Sequence, residues 1–294
     1  MEIVFALITS IFYGLDIFFV RKGLLETPFP IVAAFITLTI NLSIFIVLFF
    51  IFVPIDLLKL EFIYVFIAAG ILAPGCARAF SYKGLETLGM SISTPIVNAE
   101  SLFSVLMALM FLKEPMNLVI GAGILSVIIG IVLLSYETGQ KNRKDITKKI
   151  HYRYLFYPIT ASIFYGVSVF LRKLGLNIVS SPILGATITL GTSWCMITIF
   201  LFTSGSAKRL FQVKKQSFIY FVMGGIATCI GWLALFHALN IGKVIIVSTI
   251  ATSYSLVTLL LSYLFLRKVE RLSLKIVFAT ILIVGGVILL SVIR

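Results

Sequence analysis

The chain has 294 residues, of which 60% are hydrophobic and 12% are charged, and its formal net charge is +13. A soluble domain has roughly 45–50% apolar and 25% charged residues, so this composition excludes a soluble globular protein. Apolar runs of about 20 residues, the length that a membrane-crossing helix needs, recur along the chain. They do not alternate apolar and polar residues as the strands of an outer-membrane barrel do. We therefore predict an all-α integral membrane protein.

Ten apolar runs, separated by prolines and charged residues, predict ten transmembrane helices. The first five lie near 3–20, 30–52, 62–82, 91–112 and 117–135, and the second five lie near 154–172, 183–203, 216–237, 244–266 and 272–292. A hydrophilic, basic segment at 137–153 lies close to the midpoint. We predict that it links two five-helix units, 1–136 and 154–294.

The remaining composition predicts neither a metal site nor a cofactor. The three cysteines, Cys76, Cys195 and Cys229, are dispersed in apolar runs, and the two histidines are far apart. This pattern implies no disulfide framework and no metal-ligand cluster. The first apolar run lacks a basic n-region and a small-residue cleavage site, so we expect a retained helix and not a signal peptide.

The two predicted units share short sequences in the same order. The matching pairs are SIFYG at 10–14 and 162–166, RKGL at 21–24 and RKLGL at 172–176, FLK at 111–113 and FLR at 265–267, and GIVLLS at 130–135 and GVILLS at 286–291. Their separation stays between 151 and 156 residues. This order predicts an internal duplication of a five-helix unit.

An odd number of helices in the unit has a consequence for its orientation. After five crossings the chain is on the opposite side of the membrane, so the second unit begins upside down relative to the first. Two such units form an inverted repeat, the architecture typical of alternating-access transporters. The predicted fold is thus ten transmembrane helices in two inverted five-helix repeats.

The chain resembles the drug/metabolite transporter superfamily, in particular its EamA-type ten-helix members. The resemblance is carried by SIFYG in helices one and six and by LETLGMSISTPIVNAESLFSVLMALMFLKEP at 85–115, with its small residues, a proline and a FLxE ending. The second half repeats this pattern less faithfully, since Ser248 stands where Pro95 would align. Likewise Lys268 stands where Glu114 would align. The resemblance implies a secondary transporter of small metabolites, often outward, that does not use ATP.

The distribution of basic residues predicts the orientation in the membrane. Seventeen Lys and Arg residues lie on the side of the central linker and six lie on the side of the termini. The positive-inside rule therefore predicts a cytoplasmic linker 137–153 and termini outside the cell, in the plasma membrane. The resemblance implies the opposite, because many ten-helix relatives have cytoplasmic termini. We interpret the net positive charge as a topology and anionic-lipid signal, and we expect no nucleic-acid partner.

Three charged residues fall inside predicted spans: Asp16 in helix one, Arg78 in helix three and Glu100 in helix four. Each costs about 2.5–3.5 kcal/mol at a helix centre on insertion scales, so such residues usually serve a function. Asp16 and Arg78 lie roughly 6–7 Å, and Glu100 about 13 Å, from the predicted helix ends. The alternative interpretation is a buried ion pair that fixes helix packing, or side chains that snorkel to the headgroups.

Several polar side chains accompany these charges. Helical spacing places Tyr82 on the face of Arg78, and Tyr13 lies three residues before Asp16. We predict a substrate- or proton-binding cavity lined by Glu100, Arg78, Asp16, Tyr82, Asn98 and Tyr13, with Tyr165 and Tyr254 as second-half candidates. An acid and a base in one cavity suit a zwitterion or a proton-coupled cycle. We expect Trp194 and Trp232 to serve packing.

The second half carries no charge at the positions that match the three intramembrane charges. Ser168, Leu233 and Ser253 stand where Asp16, Arg78 and Glu100 would align. A charge needed only for packing in a symmetric fold would be expected in both halves. The asymmetry favours an off-centre substrate or proton site.

The leading functional prediction is an exporter of amino acids or similar polar solutes, with protons as the candidate coupling ion and membrane lipid as a further partner. An alternative within transport is a flippase or exchanger for a phosphorylated or lipid-linked substrate. An alternative from another class is a membrane sensor or structural protein that transports nothing. We do not expect an enzyme, because no nucleophile, base and stabiliser share one depth.

Overall fold

The computed structural model describes residues 1–54, 60–112, 152–266 and 273–291, together with a few residues between 118 and 133. The predicted fifth helix, 117–135, lies largely outside the described residues. The predicted linker, 137–153, lies outside them except for Tyr152 and Arg153. Within the described residues every regular element is a helix, which confirms the predicted all-α class.

The first half contains six α-helices: α1 Glu2–Glu26, α2 Pro30–Phe52, α3 Leu60–Gly70, α4 Ala77–Leu88, α5 Met90–Val97 and α6 Glu100–Leu112. The second half also contains six: α7 Phe156–Ile178, α8 Pro182–Thr203, α9 Lys215–Ile241, α10 Val244–Thr252, α11 Tyr254–Phe265 and α12 Leu274–Ser291. These counts cover the described residues. Short 3₁₀ turns at Tyr152–Leu155 and Ser206–Gln212 precede α7 and α9.

Six helices of the described chain are long and apolar enough to cross a membrane. They are Glu2–Glu26, Pro30–Phe52, Ile63–Leu88, Tyr152–Ile178, Pro182–Thr203 and Lys215–Ile241, with mean hydropathy from 1.5 to 2.6. They correspond to predicted helices one, two, three, six, seven and eight. The chain is therefore a multi-pass membrane protein, as its composition predicted.

Three predicted helices end too early, because basic residues near their ends were taken to mark the helix boundaries. Predicted helix one ends at residue 20, but α1 continues to Glu26. Arg21 is buried, and its Nη1 donates a hydrogen bond to the carbonyl oxygen of Leu85 at 2.6 Å. Helix three likewise continues to Leu88 and helix six to Ile178. Charged side chains bonded inside the bundle do not end a helix.

Predicted helix three is kinked between α3 and α4. The backbone of Ala73 is extended, with φ −150° and ψ 132°, immediately before Pro74. Proline has no N–H and its ring clashes with the preceding turn, so it bends helices at this place. The carbonyl oxygen of Ala73, to which the Ala77 N–H does not bond, accepts hydrogen bonds from Ser168 Oγ at 3.0 Å and Arg172 Nη2 at 2.7 Å, both on α7. The kink of one half therefore binds a helix of the other half.

Predicted helices four and nine are each broken near the middle. The predicted continuous helix 91–112 is interrupted at Asn98 and Ala99, and the predicted helix 244–266 is interrupted at Ser253. At the first break, Ala99 N bonds to Ile96 O at 3.1 Å, a tighter 3₁₀-type bond that ends α5. At the second, Ser253 Oγ donates to Ile250 O at 2.7 Å. A serine hydroxyl competes in this way for the carbonyls that a continuous helix would use.

The two halves pack against each other through matching pairs of helices. The first helix of one half, α1, packs along α9, the third helix of the other half. In the same way α7 packs along α3 and α4. The second helices, α2 and α8, contact each other. Helix α1 also contacts α11, and α7 contacts α6, the segments that follow the two breaks.

The glycine of the repeated SIFYG motif lies at these last contacts. A Cβ on Gly14 would lie 2.5 Å from Cγ1 of Val257 on α11. A Cβ on Gly166 would lie 2.6 Å from Cβ of Phe103 on α6 and would also clash with the carbonyl oxygen of Glu100. Small residues let membrane helices approach this closely. The motif recurs because both copies bring a first helix against the broken helix of the opposite half.

Candidate functional site

A polar cavity lies between the two halves, next to both helix breaks. Side chains from seven helices line it: Tyr13, Asp16, Ile17, Arg78, Ser81, Tyr82, Val97, Glu100, Tyr165, Val169, Arg172, Thr228, Trp232, Leu235 and Tyr254. Its free volume is about 50 Å³, room for a few water molecules. We call it the central cavity.

The central cavity gathers seven of the eight residues that the sequence suggested for a site. Asp16 and Arg78 are buried, with relative exposures of 6% and 3%. Each lies ten residues before the end of its helix, about 15 Å of helix length. The expected 6–7 Å was too short because both helices are longer than predicted. Neither side chain snorkels, since both line an internal cavity.

Asp16 belongs to a hydrogen-bonded group of side chains on α1, α2 and α4. Tyr82 Oη donates to Asp16 Oδ1 at 3.5 Å, and Arg78 Nη1 donates to Thr37 Oγ1 at 3.3 Å. Thr37 Oγ1 and Tyr82 Oη are themselves 3.5 Å apart. The chain Asp16–Tyr82–Thr37–Arg78 thus joins an acid and a base indirectly. Within the described part of the chain no Lys or Arg nitrogen lies within 4.0 Å of the Asp16 carboxylate.

Glu100 is the first residue of α6, just after the first break. Its carboxylate faces the central cavity, and no residue that the structure describes donates a hydrogen bond to it. The exposed N–H groups of a helix N-terminus favour a negative charge at this position. Of the two carboxylates in the cavity, Glu100 is thus the one with fewer hydrogen-bond partners among the described residues.

Arg172 is a cavity residue that the sequence analysis missed. It was counted as a topology charge at the end of helix six, but α7 continues six residues beyond it and its side chain is only 2% exposed. Its guanidinium carbon lies 4.4 Å from the ring centroid of Trp232, a cation–π distance. Its Nε has no hydrogen-bond partner among the described residues. No signal in the sequence pointed to it, because its aligned counterpart Arg21 was counted as a topology charge as well.

The two predicted second-half tyrosines, Tyr165 and Tyr254, both line the cavity. The rings of Tyr13 and Tyr254 meet edge to face, with centroids 5.9 Å apart and planes at 81°. Trp232, expected to serve packing, lines the cavity under Arg172. Trp194 packs against α2, where its Nε1 donates to Thr39 Oγ1 at 2.9 Å. The cavity wall is therefore aromatic between its charges.

Asn98 is the predicted site residue that does not line the cavity. It lies at the first break and is buried, and its Nδ2 donates to the carbonyl oxygen of Thr252 at the second break. Its Oδ1 has no partner among the described residues. Asn98 therefore connects the two broken helices to each other behind the cavity.

The chain is thus a multi-pass membrane protein with a charged cavity between its two halves. The sequence profile of the EamA-like transporter family matches residues 1–136 and 153–292. The chain thus belongs to the EamA-like transporter family, and it is a membrane transporter of the drug/metabolite type.

Two other proteins resemble this chain, one in sequence and one in structure. An uncharacterized protein of Methanocaldococcus jannaschii is 28% identical over 136 residues, which are 46% of this chain and 93% of that protein. A solved crystal structure superposes with a TM-score of 0.62 at 14% identity, over 97% of this chain and 96% of its own. At that identity the likeness shows the fold alone.

Proposed function

We propose that this protein is a secondary active transporter that exports small zwitterionic metabolites, with amino acids as the leading class, by alternating access. The observation that carries the proposal is the central cavity. Two carboxylates and two arginines face it, and among the described residues neither carboxylate forms an ion pair within 4.0 Å. Charges held apart in a membrane interior are costly unless a ligand or a proton meets them.

The proposal includes ten transmembrane helices arranged as two inverted five-helix repeats. Four observations support it. The family profile matches twice, and the Methanocaldococcus jannaschii relative is about half as long as this chain. The helices of the two halves pack in matching pairs, and both broken helices are interrupted within one or two residues of the aligned position. Broken helices near the repeat interface form the binding sites of many inverted-repeat transporters.

A zwitterion fits the distribution of charge in the cavity. A substrate carboxylate would accept from Arg172, whose Nε lacks a described partner. A substrate ammonium would meet Asp16 and the tyrosine rings, which attract cations through their faces. Glu100 would carry the coupling proton, because a carboxylate that faces the cavity and accepts no hydrogen bond from the described residues can bind and release a proton as access changes. The substrate and the proton would thus use separate groups.

The small free volume supports a change of conformation during transport. About 50 Å³ holds a few waters and no amino acid. Substrate entry therefore requires the halves to separate on one side, and an inverted repeat offers two such openings. The breaks at Asn98 and Ser253 interrupt two helices next to the cavity, where we expect the backbone to move as access changes.

We further propose a plasma-membrane location with both termini outside and the linker 137–153 in the cytoplasm. The charge count still favours this orientation once the two buried arginines, Arg21 and Arg172, are removed, since sixteen basic residues then lie on the linker side and five on the terminal side. Basic residues are counted only when they lie in loops.

The alternative, an exchanger or flippase for a phosphorylated or lipid-linked substrate, gains one specific observation. Arg172 adds a second buried arginine to Arg78, and paired arginines bind phosphate well. Asp16 and Glu100 in the same wall weigh against it, because they would repel a phosphate.

The test is transport by purified protein in liposomes, with a panel of labelled solutes and with or without a pH gradient. The panel holds zwitterionic amino acids, a neutral polyol and a phosphorylated solute such as glycerol phosphate. The proposal expects saturable flux of at least one zwitterion that the pH gradient accelerates. Flux of the phosphorylated solute without any zwitterion flux would favour the alternative, and flux of neither would reject both.

A further inference from the structure

A second, larger cavity lies on the side of the bundle between α2, α4 and α8. We call it the lateral groove. Its free volume is about 850 Å³, and it shares no lining residue with the central cavity. Helix α4 presents opposite faces to the two cavities. The inner part of the lateral groove, away from the helix ends, is apolar and includes Cys76, Ala79, Phe80, Met196, Ile197 and Phe200.

The charged residues of the lateral groove lie at one end of it. Lys83 and Glu86 occupy the last turns of α4, and Arg209 lies in the 3₁₀ turn that follows α8. The guanidinium of Arg209 lies 5.3 Å from the ring centroid of Phe29. Cys76 precedes Lys83 by seven residues, so the apolar end lies about 10 Å deeper along the helix. The groove thus runs from a charged rim roughly a third of the way into a hydrocarbon core about 30 Å thick.

We propose that the lateral groove binds a glycerophospholipid of the surrounding bilayer. An acyl chain lies along the apolar part, and the phosphate lies at the rim between Lys83 and Arg209. Glu86 pairs with Lys83 at 2.5 Å, so the three rim residues carry one net positive charge. That charge matches the single negative charge of a phosphodiester. Arg and Lys are the side chains that bind phosphate oxygens most strongly.

The other occupants fit the lateral groove less well. A small polar metabolite has no apolar length to fill a groove with an apolar inner wall. A second copy of the chain would cover the charged rim with another protein surface. The charges of the rim would then have no explanation. A phospholipid supplies both a tail and a phosphate, and it is present at high concentration around any membrane protein.

The inner end of the lateral groove reaches the kink of helix three. Gly75 and Cys76, which line it, directly follow Ala73 and Pro74. The Ala73 carbonyl on the other side of this segment accepts the hydrogen bond of Arg172. A bound acyl chain therefore packs behind the backbone that positions Arg172, and it stabilises the kinked form of the helix.

The test is native mass spectrometry of the delipidated full-length protein, titrated with three probes. Phosphatidylethanolamine carries tail and phosphate, diacylglycerol carries the tails alone, and glycerol phosphate carries the phosphate alone. The proposal expects the phospholipid to bind more tightly than either fragment. The variant Lys83→Ala/Arg209→Ala is expected to lose the preference over diacylglycerol, whereas the neighbouring Lys208→Ala keeps it, because Lys208 is exposed and does not line the groove.

A single Arg209→Ala variant replaces an exposed side chain and keeps the test decisive if the double variant does not fold. Filling the groove with Ala79→Trp is expected to abolish phospholipid binding. Three results would overturn the proposal: equal binding of phospholipid and diacylglycerol to wild type, unchanged preference in the Arg209 variant, or a lipid-free dimer that Ala79→Trp dissociates. None of these readouts involves transport, so the outcome is independent of the proposed function.

Discussion

Arg172 illustrates how a single side chain connects the architecture to the cavity. Its Nη2 donates a hydrogen bond to the kink of the opposite half at 2.7 Å, and its guanidinium carbon lies 4.4 Å from the ring centroid of Trp232. These contacts fix the guanidinium and leave Nε without a partner among the described residues. A fixed donor in a site of low dielectric constant binds an anion strongly, because little reorganisation is needed.

Replacing Arg172 by Gln is expected to weaken binding of any substrate that carries a carboxylate. Hydrogen bonds to charged groups contribute about 1.5–3 kcal/mol, so KM should rise roughly 10- to 100-fold. Arg172→Lys should restore part of this loss, since the charge remains but the planar fork does not. The measurement is concentration-dependent flux in liposomes.

The control for this prediction is Arg153→Gln, which removes an exposed arginine from the turn before α7. Its KM should equal that of wild type. If Arg172→Gln lowers the unfolding temperature but leaves KM unchanged, Arg172 serves packing alone and does not contact substrate.

Among the helices, each first helix makes a tight contact with the opposite broken helix, and this contact occurs symmetrically in both halves. Gly14 and Gly166 permit it, and both belong to the repeated motif. The contact also connects each break to the opposite half, so the two breaks cannot move independently of α1 and α7. Asn98 adds a direct bond between the breaks.

Gly14→Ala and Gly166→Ala are each expected to destabilise the protein. The added methyl group would lie closer than 3.0 Å to atoms of the opposite half, and overpacking of this kind costs about 1–3 kcal/mol. The unfolding temperature of the purified protein in detergent measures the effect. Gly285→Ala is the matched control, because a Cβ there meets no atom within 4 Å. Equal unfolding temperatures for all three variants would contradict the role given to the motif.

Sequence alone predicted some of these elements well and others not at all. Long apolar runs identify membrane helices because the hydrocarbon core leaves the backbone no other solution. The break at Ser253 was not predictable, since no proline or glycine marks it and it depends on a side-chain bond to Ile250. Arg172 was missed for a related reason: a charge near a predicted helix end looks like a loop residue until the helix is seen to continue to Ile178.

Charged residues inside the predicted membrane spans predicted the candidate site better than charged residues near the span ends did. Asp16, Arg78 and Glu100 stood out because a charge in a span has to face the protein interior. The same rule placed the neighbouring tyrosines Tyr13 and Tyr82 in the cavity through helical spacing. Asn98 does not line the cavity, because its side-chain amide donates a hydrogen bond to a backbone carbonyl of the opposite half.

At the scale of the whole molecule, the orientation in the membrane can be tested by cysteine labelling of intact cells. In a variant whose native cysteines are replaced by alanine, a cysteine added before Met1 should react with a membrane-impermeant maleimide. A cysteine at Gly205, in the exposed turn after α8, should react only after permeabilisation. The reverse pattern would place both termini in the cytoplasm and contradict the positive-inside prediction.

We propose that the cavity couples substrate movement to a proton carried by Glu100. The most direct measurement compares two modes of transport in liposomes that contain wild type or Glu100→Gln: accumulation driven by a pH gradient, and exchange of labelled for unlabelled substrate without a gradient. An amide cannot bind and release the proton, so the variant should lose accumulation and keep exchange. Glu26→Gln, in an exposed pair with Lys214, should behave as wild type in both modes. Gradient-driven accumulation by Glu100→Gln at the wild-type rate would contradict the claim.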